Sequence, residues 1–266
     1  DIPLGAGLSS SAALESAFAV ALNDLFNFNL DRLTLAKVGQ NAENNHVGVR
    51  CGIMDQFASM FGKSGHVVLL DCRSLSYKYF PMYLDSYALI LCDTQVKHSL
   101  ASSEYNKRRA ECEEGISIIS SLGEKNVTSL RDVSVEMLET YKDKLSKNVF
   151  SRCQYVVEEN NRVLKTCQAL TKANLETVGK LMFESHQGLQ LKYNVSCEEL
   201  DCLVEEAKAI NGVIGARMMG GGFGGCTINL LKKEKADTFK EHLAEKYYNR
   251  FSRTPSFYDI LITSGA

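Results

Sequence analysis

Close to the start of the sequence, a run of glycines and serines leads directly into a helix-forming segment. The run is Gly5-Ala6-Gly7-Leu8-Ser9-Ser10-Ser11, and AALESAFAVAL follows it. Glycine lets a backbone approach a ligand closely, and the first turn of a helix offers N–H groups with a partial positive charge. Hydroxyl groups add donors, and their oxygens suit a hard cation such as Mg²⁺. These residues favour a phosphate-binding loop, and an ordinary N-capped helix with a flexible lead-in explains them about equally well.

Two acidic residues follow at positions where they are able to serve such a loop. Glu43 lies near the end of one predicted helix, and Asp55 lies at the start of the next. Beside a phosphate site, one carboxylate can hold Mg²⁺ and another can accept or orient the proton of an attacking hydroxyl. Their spacing does not assign the two roles. Taken singly, Asp55 is more simply a helix N-cap and Glu43 a solvated helix residue.

A second glycine-rich run, RMMGGGFGGC, lies in the last quarter of the chain. Gly220, Gly222 and Gly225 satisfy the pattern G-x-G-x-x-G, but a dinucleotide-binding fingerprint must open a helix. Here the residues CTINLL follow, and they are typical of a strand. The run therefore predicts a tight connection between antiparallel strands. Five glycines in six residues exceed what a hairpin needs, which indicates a backbone against a ligand, against the helix of the first loop, or in close packing between domains.

Hydrophobic patterning predicts the elements that position these residues. The segment after the first loop is apolar on most faces, which predicts a buried helix. DRLTLAKVGQNAENNH, with Asp31 as N-cap, and GIMDQFASMFG are further helices, and GHVVLLD and YALILCDT are strands. After amphipathic helices between about 124 and 210, the chain ends as strand, turn, strand, helix, strand. That order predicts an α+β domain with an antiparallel sheet, and Pro81 indicates a domain boundary near FPMYLDS.

The composition narrows the class of function. The 266 residues are 45% hydrophobic, and the net charge of −2 comes from evenly spread charges, which argues against a nucleic-acid surface. No apolar run approaches the roughly 18–20 residues that span a bilayer. Nine cysteines without a C-x-x-C pair fit neither a disulfide framework nor a zinc site. We expect a cytoplasmic protein, a monomer, with no nucleic-acid or membrane partner.

Four stretches together resemble a known family. PLGAGLSSSAALE, CGIMDQFASMFG, VKHSLASSEYNKRRAECE and RMMGGGFGGCTINL occur in the order and at the spacing of the galactokinases, a branch of the GHMP kinases. The first and last are shared across that family, and the middle two resemble the galactokinase branch specifically. The resemblance covers essentially the whole chain. It implies ATP-dependent phosphorylation of α-D-galactose at O1, a step of galactose catabolism.

The resemblance also implies a fold and a set of site residues. The fold is α+β with two GHMP-kinase domains, a partial N-terminal ribosomal-S5-like domain over 1–83 and a C-terminal ferredoxin-like α/β sandwich over 84–266. The glycine-rich run near the end supports the nucleotide loop. The implied site residues are Gly5, Ala6, Gly7, Leu8, Ser9, Ser10 and Ser11 for the phosphates of ATP, Ser11 and Glu43 for Mg²⁺, and Gly52, Asp55 and Tyr105 for galactose, with Asp55 as catalytic base.

Two features depart from the family pattern. Met219 stands where galactokinases commonly carry threonine. The family signature Gly-Arg-x-Asn-x-Ile-Gly-Glu-His, which supplies sugar-recognising groups and an arginine that assists the base, is absent from these residues. We therefore expect this chain to be the C-terminal two thirds of the enzyme, inactive and poorly soluble on its own.

The absent signature leaves two alternatives to a galactokinase. In the first, the protein is a kinase whose substrate is N-acetylgalactosamine or another sugar. In the second, the protein is a non-catalytic sensor that binds galactose and ATP. Such sensors typically lose residues of the phosphate loop. The three intact serines at 9–11 therefore favour an enzyme.

Overall fold

The computed structural model describes residues 8–96, 101–124 and 126–266. Short 3-10 turns and two π-helical turns, Glu43–Val47 and Leu189–Tyr193, accompany the longer elements. The helices and strands within the described ranges are α1 (Ser10–Leu25), α2 (Arg32–Ala42), α3 (Met54–Phe61), β1 (His66–Leu70), β2 (Tyr77–Pro81), β3 (Tyr87–Asp93), α4 (Ala101–Ser121), α5 (Val135–Thr140), α6 (Lys147–Thr171), α7 (Leu175–Gly188), α8 (Glu198–Ala209), β4 (Val213–Met218), β5 (Cys226–Lys232), α9 (Ala236–Phe251) and β6 (Ser256–Ile260).

The first three helices and a β-hairpin form the N-terminal part of the molecule. The side chain of Asp31 accepts hydrogen bonds from the backbone of Leu33 and Thr34, which confirms it as the N-cap of α2. Ala36 of α2 and Met60 of α3 are fully buried in one small apolar cluster. Strand β1 pairs antiparallel with β2. The sequence pattern does not predict β2, which ends at Pro81.

Helix α1 differs from its prediction as a buried helix. Only Ala12 and Ser16 are buried along its length. The apolar side chains of Leu14, Phe18, Leu22 and Leu25 are 44–71% exposed. Helix α1 contacts α2 and α3 on one side, and within the described residues nothing covers the opposite face. The prediction of burial was therefore wrong. An all-round apolar pattern indicates that a helix is suited to burial, but it does not identify a partner surface that covers it.

A four-stranded antiparallel sheet organises the C-terminal part. Its strand order is β4-β5-β3-β6, and the chain runs β3, helices, β4, β5, α9, β6. This is the ferredoxin-like arrangement, so the predicted architecture is confirmed. Because successive residues of a strand point to opposite faces, Ile90 packs in the core under α8 and α9. Its neighbour Leu89 packs on the other face with residues of α6 and α7.

Each π-helical turn ends at a residue with left-handed backbone. Gly48 ends the turn that begins at Glu43, and Asn194 ends the turn that follows α7. Such turns change the direction in which a helix presents its side chains and are frequent at functional sites. Within the described ranges, no helix is both long enough and apolar enough to cross a membrane.

Candidate active site

The described part of the first glycine-serine run is a strained turn at the N-terminus of α1. Gly5, Ala6 and Gly7 lie outside the described residues. Ser9 precedes the helix with φ 51° and ψ 42°, and its side chain makes no capping hydrogen bond. A residue other than glycine in this left-handed region costs on the order of 1–3 kcal/mol, and such residues cluster at ligand sites. Ser9 is therefore not an ordinary N-cap.

The next residue back, Leu8, packs into a small apolar cluster. Its buried members are Leu91 of β3 and Cys226 of β5, and Met219 packs against them as well. The first loop and the second glycine-rich run therefore meet at one place. Met219, where the resemblance led us to expect a threonine, makes an apolar contact there.

Glu43 is buried, with 7% of its surface exposed, and it is the first residue of a π-helical turn. It is therefore not a solvated helix residue. Burial, and after it the negative charge of Glu43, raise the pKa of Glu15 on α1 above its usual value. The sequence interpretation did not single out Glu15. Its position four residues after Ser11, on the same helix face, was the available signal.

Asp55 lies in the first turn of α3, and the residue before that helix is Ile53. Asp55 is thus not the N-cap of α3. Its side chain is half-buried, and the neighbouring Gly52 is exposed. Burial, followed by the charges of Glu43 and Asp55, raises the pKa of the Cys51 thiol. Because these carboxylates act on one thiol, the residues predicted for the metal and for the sugar lie around the same short loop.

Tyr105 of α4 lies near this group as well. Burial raises the pKa of its hydroxyl above the usual value, and proximity to Cys51 and Asp55 adds to the shift. A Cβ atom built on Gly221 would lie 3.7 Å from the tyrosine ring. Tyr105 therefore lies near both Asp55 and the second glycine-rich run.

That run connects β4 to β5, two antiparallel strands, so the prediction of a strand connection rather than a dinucleotide fingerprint is confirmed. The Met219 N–H donates to the carbonyl oxygen of Cys226 at 3.0 Å and closes the hairpin. At its tip, Phe223 has φ 59° and donates its N–H to the carbonyl oxygen of Val195 at 2.7 Å. The backbone of the run lies directly against protein.

Among the described residues, no group of three or more histidine, cysteine, aspartate or glutamate side chains is arranged to hold a metal ion. This part of the chain therefore forms no all-protein metal cage. Mg²⁺ usually needs only one or two carboxylates, with water and phosphate oxygens completing the shell.

Comparison with known proteins places the chain in a family. Residues 1–63 match the family model described as GHMP kinases N terminal domain, and residues 167–249 match GHMP kinases C terminal. The galactokinase of Thermotoga petrophila is 49% identical over 265 residues, which cover 100% of this chain and 73% of that protein. The chain belongs to the galactokinase family.

A solved galactokinase structure agrees with this assignment, and a more distant one shows the fold. The crystal structure of Lactococcus lactis galactokinase complexed with galactose matches with a TM-score of 0.95 and 38% identity, over 99% of this galactokinase-family chain and 68% of that chain. A mevalonate kinase of L. major in complex with R-mevalonate matches with a TM-score of 0.61 and 18% identity, over 97% of this chain and 66% of that one. The mevalonate kinase shares the fold. The boundary at residues 83 and 84 falls between the two matched ranges and stays a prediction.

Proposed function

We propose that this galactokinase-family chain carries the phosphate loop, the metal-binding residues and the base of an enzyme that phosphorylates α-D-galactose. The γ-phosphate of ATP passes to O1 of the sugar, giving galactose 1-phosphate and ADP. The observation that carries the proposal is the 49% identity to a galactokinase, which extends over 265 residues and covers 100% of this chain. Positioning and electrostatics supply most of the acceleration in phosphoryl transfer. Each residue of the site therefore contributes mainly by holding a reactant in place or by stabilising its charge.

Asp55 is the base in this proposal. Its carboxylate is half-buried at the start of α3, within electrostatic reach of Cys51 and Tyr105. When O1 attacks the γ-phosphorus, Asp55 accepts or orients the hydroxyl proton, and the bond between that phosphorus and the oxygen of ADP breaks. Tyr105 and the exposed Gly52 contact the sugar. A general base contributes about 10²–10⁴-fold to such a rate.

The phosphates of ATP lie at the N-terminus of α1. The hydroxyls of Ser9, Ser10 and Ser11 and the first backbone N–H groups of the helix donate to phosphate oxygens there. The left-handed backbone of Ser9, together with a side chain that does not cap the helix, supports this role. Gly5, Ala6 and Gly7 complete the loop in the proposal, with Leu8 anchoring it to the sheet.

The residues present also fit a Mg²⁺ ion. Glu43 is buried near Glu15, and burial, followed by the charge of Glu43, raises the pKa of Glu15. Oε2 of Glu15 and Oε1 of Gln56 are buried without a hydrogen-bond partner among the described residues. Gln56 is a hydrogen-bond partner of Glu15, and the two oxygens that still lack donors, together with the negative charge, suit a cation. Ser11 and Glu43 would hold the ion, and when bound it offsets the charge of the phosphates and orients the γ-phosphate.

Full-length protein provides the test. ADP release is measured with galactose, with N-acetylgalactosamine and without sugar, and ATP and galactose binding are measured by calorimetry. We expect turnover with galactose, a loss of about 10²–10⁴-fold in Asp55→Asn, and unchanged ATP affinity in that variant. Asp143→Asn, an exposed aspartate on a distant 3-10 turn, is the matched control and should keep parental turnover.

Other results would favour the alternatives. Tight binding of ATP and galactose without turnover indicates a sensor. A preference for N-acetylgalactosamine changes the substrate. Near-parental turnover in Asp55→Asn removes the base assignment and leaves the family intact.

A further inference from the structure

Helix α4 holds residue 50, in the loop before α3, at three points. The backbone N–H of Arg50 donates to Oδ1 of Asn106 at 3.3 Å. The backbone oxygen of Arg50 accepts a hydrogen bond from Nη1 of Arg109 at 2.7 Å. The Arg50 guanidinium donates to Glu113 at 3.1 Å. Both backbone groups and the side chain of one loop residue are thus bound by a single helix.

The three helix residues form one clamp. Asn106, Arg109 and Glu113 are spaced by three and four positions, so they lie on one face of α4. Nε of Arg109 donates to the same Glu113 carboxylate at 2.9 Å, which orients the guanidinium so that Nη1 meets the loop. The contact between Arg109 and Arg50 joins residues 59 positions apart.

The clamp joins the two halves of the proposed sugar site. On the loop side, Arg50 lies two residues before Gly52 and five before Asp55. On the helix side, Tyr105 directly precedes Asn106. The position of residue 50 on α4 therefore contributes to the distance between Tyr105 and the Asp55 end of the loop.

The loop has no helix or strand of its own. At its start, the N–H groups of Gly48 and Val49 donate to the carbonyl oxygen of Glu43. The loop starts at Gly48, whose φ is +81°, and runs to Ile53 without a helix or strand. From α2, the side-chain amide of Gln40 reaches the Cys51 carbonyl at 3.4 Å, a longer contact than the one made by Arg109. Hydrogen bonds from a charged donor are the stronger kind, so Arg109 makes the firmer of these two side-chain contacts.

We propose that Arg109 is a positioning residue for the sugar site, which holds the backbone of residue 50 so that Gly52 and Asp55 face Tyr105. This inference rests on the proposed function. In this proposal Arg109 acts through the loop. Its charge also lies near Tyr105, whose pKa is raised by burial and by Cys51 and lowered by Arg109, and Arg109→Lys keeps that charge. The side chain of Arg109 is 44% exposed, and that of Glu113 is 46% exposed. Exposed ion pairs contribute little to folding stability, so loss of the clamp should displace the sugar site more than it destabilises the protein.

The test compares Arg109→Gln, Arg109→Lys and the parent as full-length proteins. The measurements are KM for galactose, KM for ATP, kcat, galactose affinity by calorimetry without ATP, and the thermal midpoint. We expect Arg109→Gln to raise the galactose KM and Kd about tenfold and to lower kcat about tenfold, since small displacements of a reacting group are costly. The ATP KM and the midpoint should stay close to parental values. Arg109→Lys keeps a positively charged donor group, so its galactose KM, Kd and kcat should lie between those of the parent and of Arg109→Gln.

Arg131→Gln is the matched control. Arg131 is also an exposed arginine that bridges distant segments, donating to Asp71 at 2.7 Å across 60 positions, but it lies far along the chain from the site loops. It should leave both KM values and kcat unchanged.

Three results would overturn the inference. One is parental galactose KM, Kd and kcat in Arg109→Gln. Another is a fall in thermal midpoint that accompanies every kinetic change, because that identifies a structural role. The third is an equal rise of the galactose KM in Arg131→Gln. If the parent binds galactose but does not phosphorylate it, the proposed function is contradicted and the positioning role is not. The galactose Kd of Arg109→Gln then still tests that role. A parent that neither binds nor phosphorylates galactose overturns both.

Discussion

The backbone N–H of Phe223 donates to the carbonyl oxygen of Val195 at 2.7 Å. This hydrogen bond joins the glycine-rich connection between β4 and β5 to the segment that follows the second π-helical turn. Arg108 of α4 lies with its guanidinium 5.9 Å from the centre of the Phe223 ring. The same arginine donates to the carbonyl oxygens of Tyr193 and Asn194, each at 3.0 Å. The helix that carries the proposed sugar contact is thereby tied to the glycine-rich run.

A first prediction concerns the glycine beneath this hydrogen bond. Gly222 has φ +85°, and a Cβ built on it would lie 2.1 Å from the Val195 carbonyl oxygen. Gly222→Ala should therefore destabilise the protein by at least the 1–3 kcal/mol or so that a left-handed residue costs. Gly221→Ala, where the nearest atom would be 3.7 Å away, is the control. Urea unfolding measures both, and equal losses in the two variants would contradict the prediction.

A second prediction concerns the buried charge of Arg108. Its side chain is 5% exposed and pairs with Glu104 and Glu111. Arg108→Met leaves the partly buried Glu111 with one fewer cation and leaves the Tyr193 and Asn194 carbonyls without this donor, so we expect a loss of about 3–5 kcal/mol in unfolding free energy.

The neighbouring Lys107 provides the matched control for Arg108. It is exposed on the same helix, and Lys107→Met should change the unfolding free energy by no more than about 0.5 kcal/mol. If Arg108→Met and Lys107→Met gave similar unfolding free energies, the buried ion pairs and hydrogen bonds of Arg108 would contribute no more to stability than an exposed lysine does.

A third prediction concerns the carboxylates near the proposed metal. Burial, followed by the charge of Glu43, raises the pKa of Glu15. Glu43→Gln removes the second cause, so the pKa of Glu15 should fall in carboxyl NMR titrations. If Glu43 holds Mg²⁺, the ion concentration for half-maximal turnover should rise about tenfold, because a charged oxygen ligand is replaced by a neutral one. Galactose affinity without ATP should not change.

Glu245→Gln, an exposed glutamate on α9, controls for the loss of one negative charge. An unchanged Mg²⁺ requirement in Glu43→Gln would remove Glu43 as a ligand. An unchanged Glu15 titration would show that the two carboxylates do not interact.

A fourth prediction is a pH dependence of stability at the β1–β2 connection. Arg73, together with backbone N–H groups of Thr128 and Ser129, holds the pKa of Asp132 well below its usual range. A depressed carboxyl pKa stabilises the folded state above the unfolded pKa of about 3.9, and the contribution disappears as pH falls toward the folded value. Asp132→Asn should therefore lower the unfolding free energy at pH 7 and have a smaller effect as the pH approaches 2.

Urea unfolding at several pH values measures this difference. The exposed Asp143 serves again as the control, and Asp143→Asn should give no comparable difference at neutral pH. A deficit in Asp132→Asn that is the same at pH 7 and pH 2.5 would contradict an electrostatic origin.

Much of the fold follows from local sequence. Asp31 predicts the start of α2 because a side-chain cap acts over three residues. The strand that follows the glycine-rich run predicts a hairpin in place of a dinucleotide motif. Strand β2 escaped prediction because Pro81 breaks a strand only in its interior, and here it stands at the end of the strand. The burial of α1 was predicted wrongly, since burial depends on a partner surface that a local pattern does not describe.

The sequence by itself determined the family and the candidate residues, because motifs such as CGIMDQ and GGGFGG are contiguous and keep their order in the chain. Only the tertiary structure decided which groups act together. Glu15 approaches Glu43 because α1 packs on α2, and Arg109 reaches the loop before α3 because α4 lies across it. These contacts join residues separated by 28 and 59 positions. Electrostatic and hydrogen-bonding interactions depend on distance in space, which the spacing of residues along a chain does not contain.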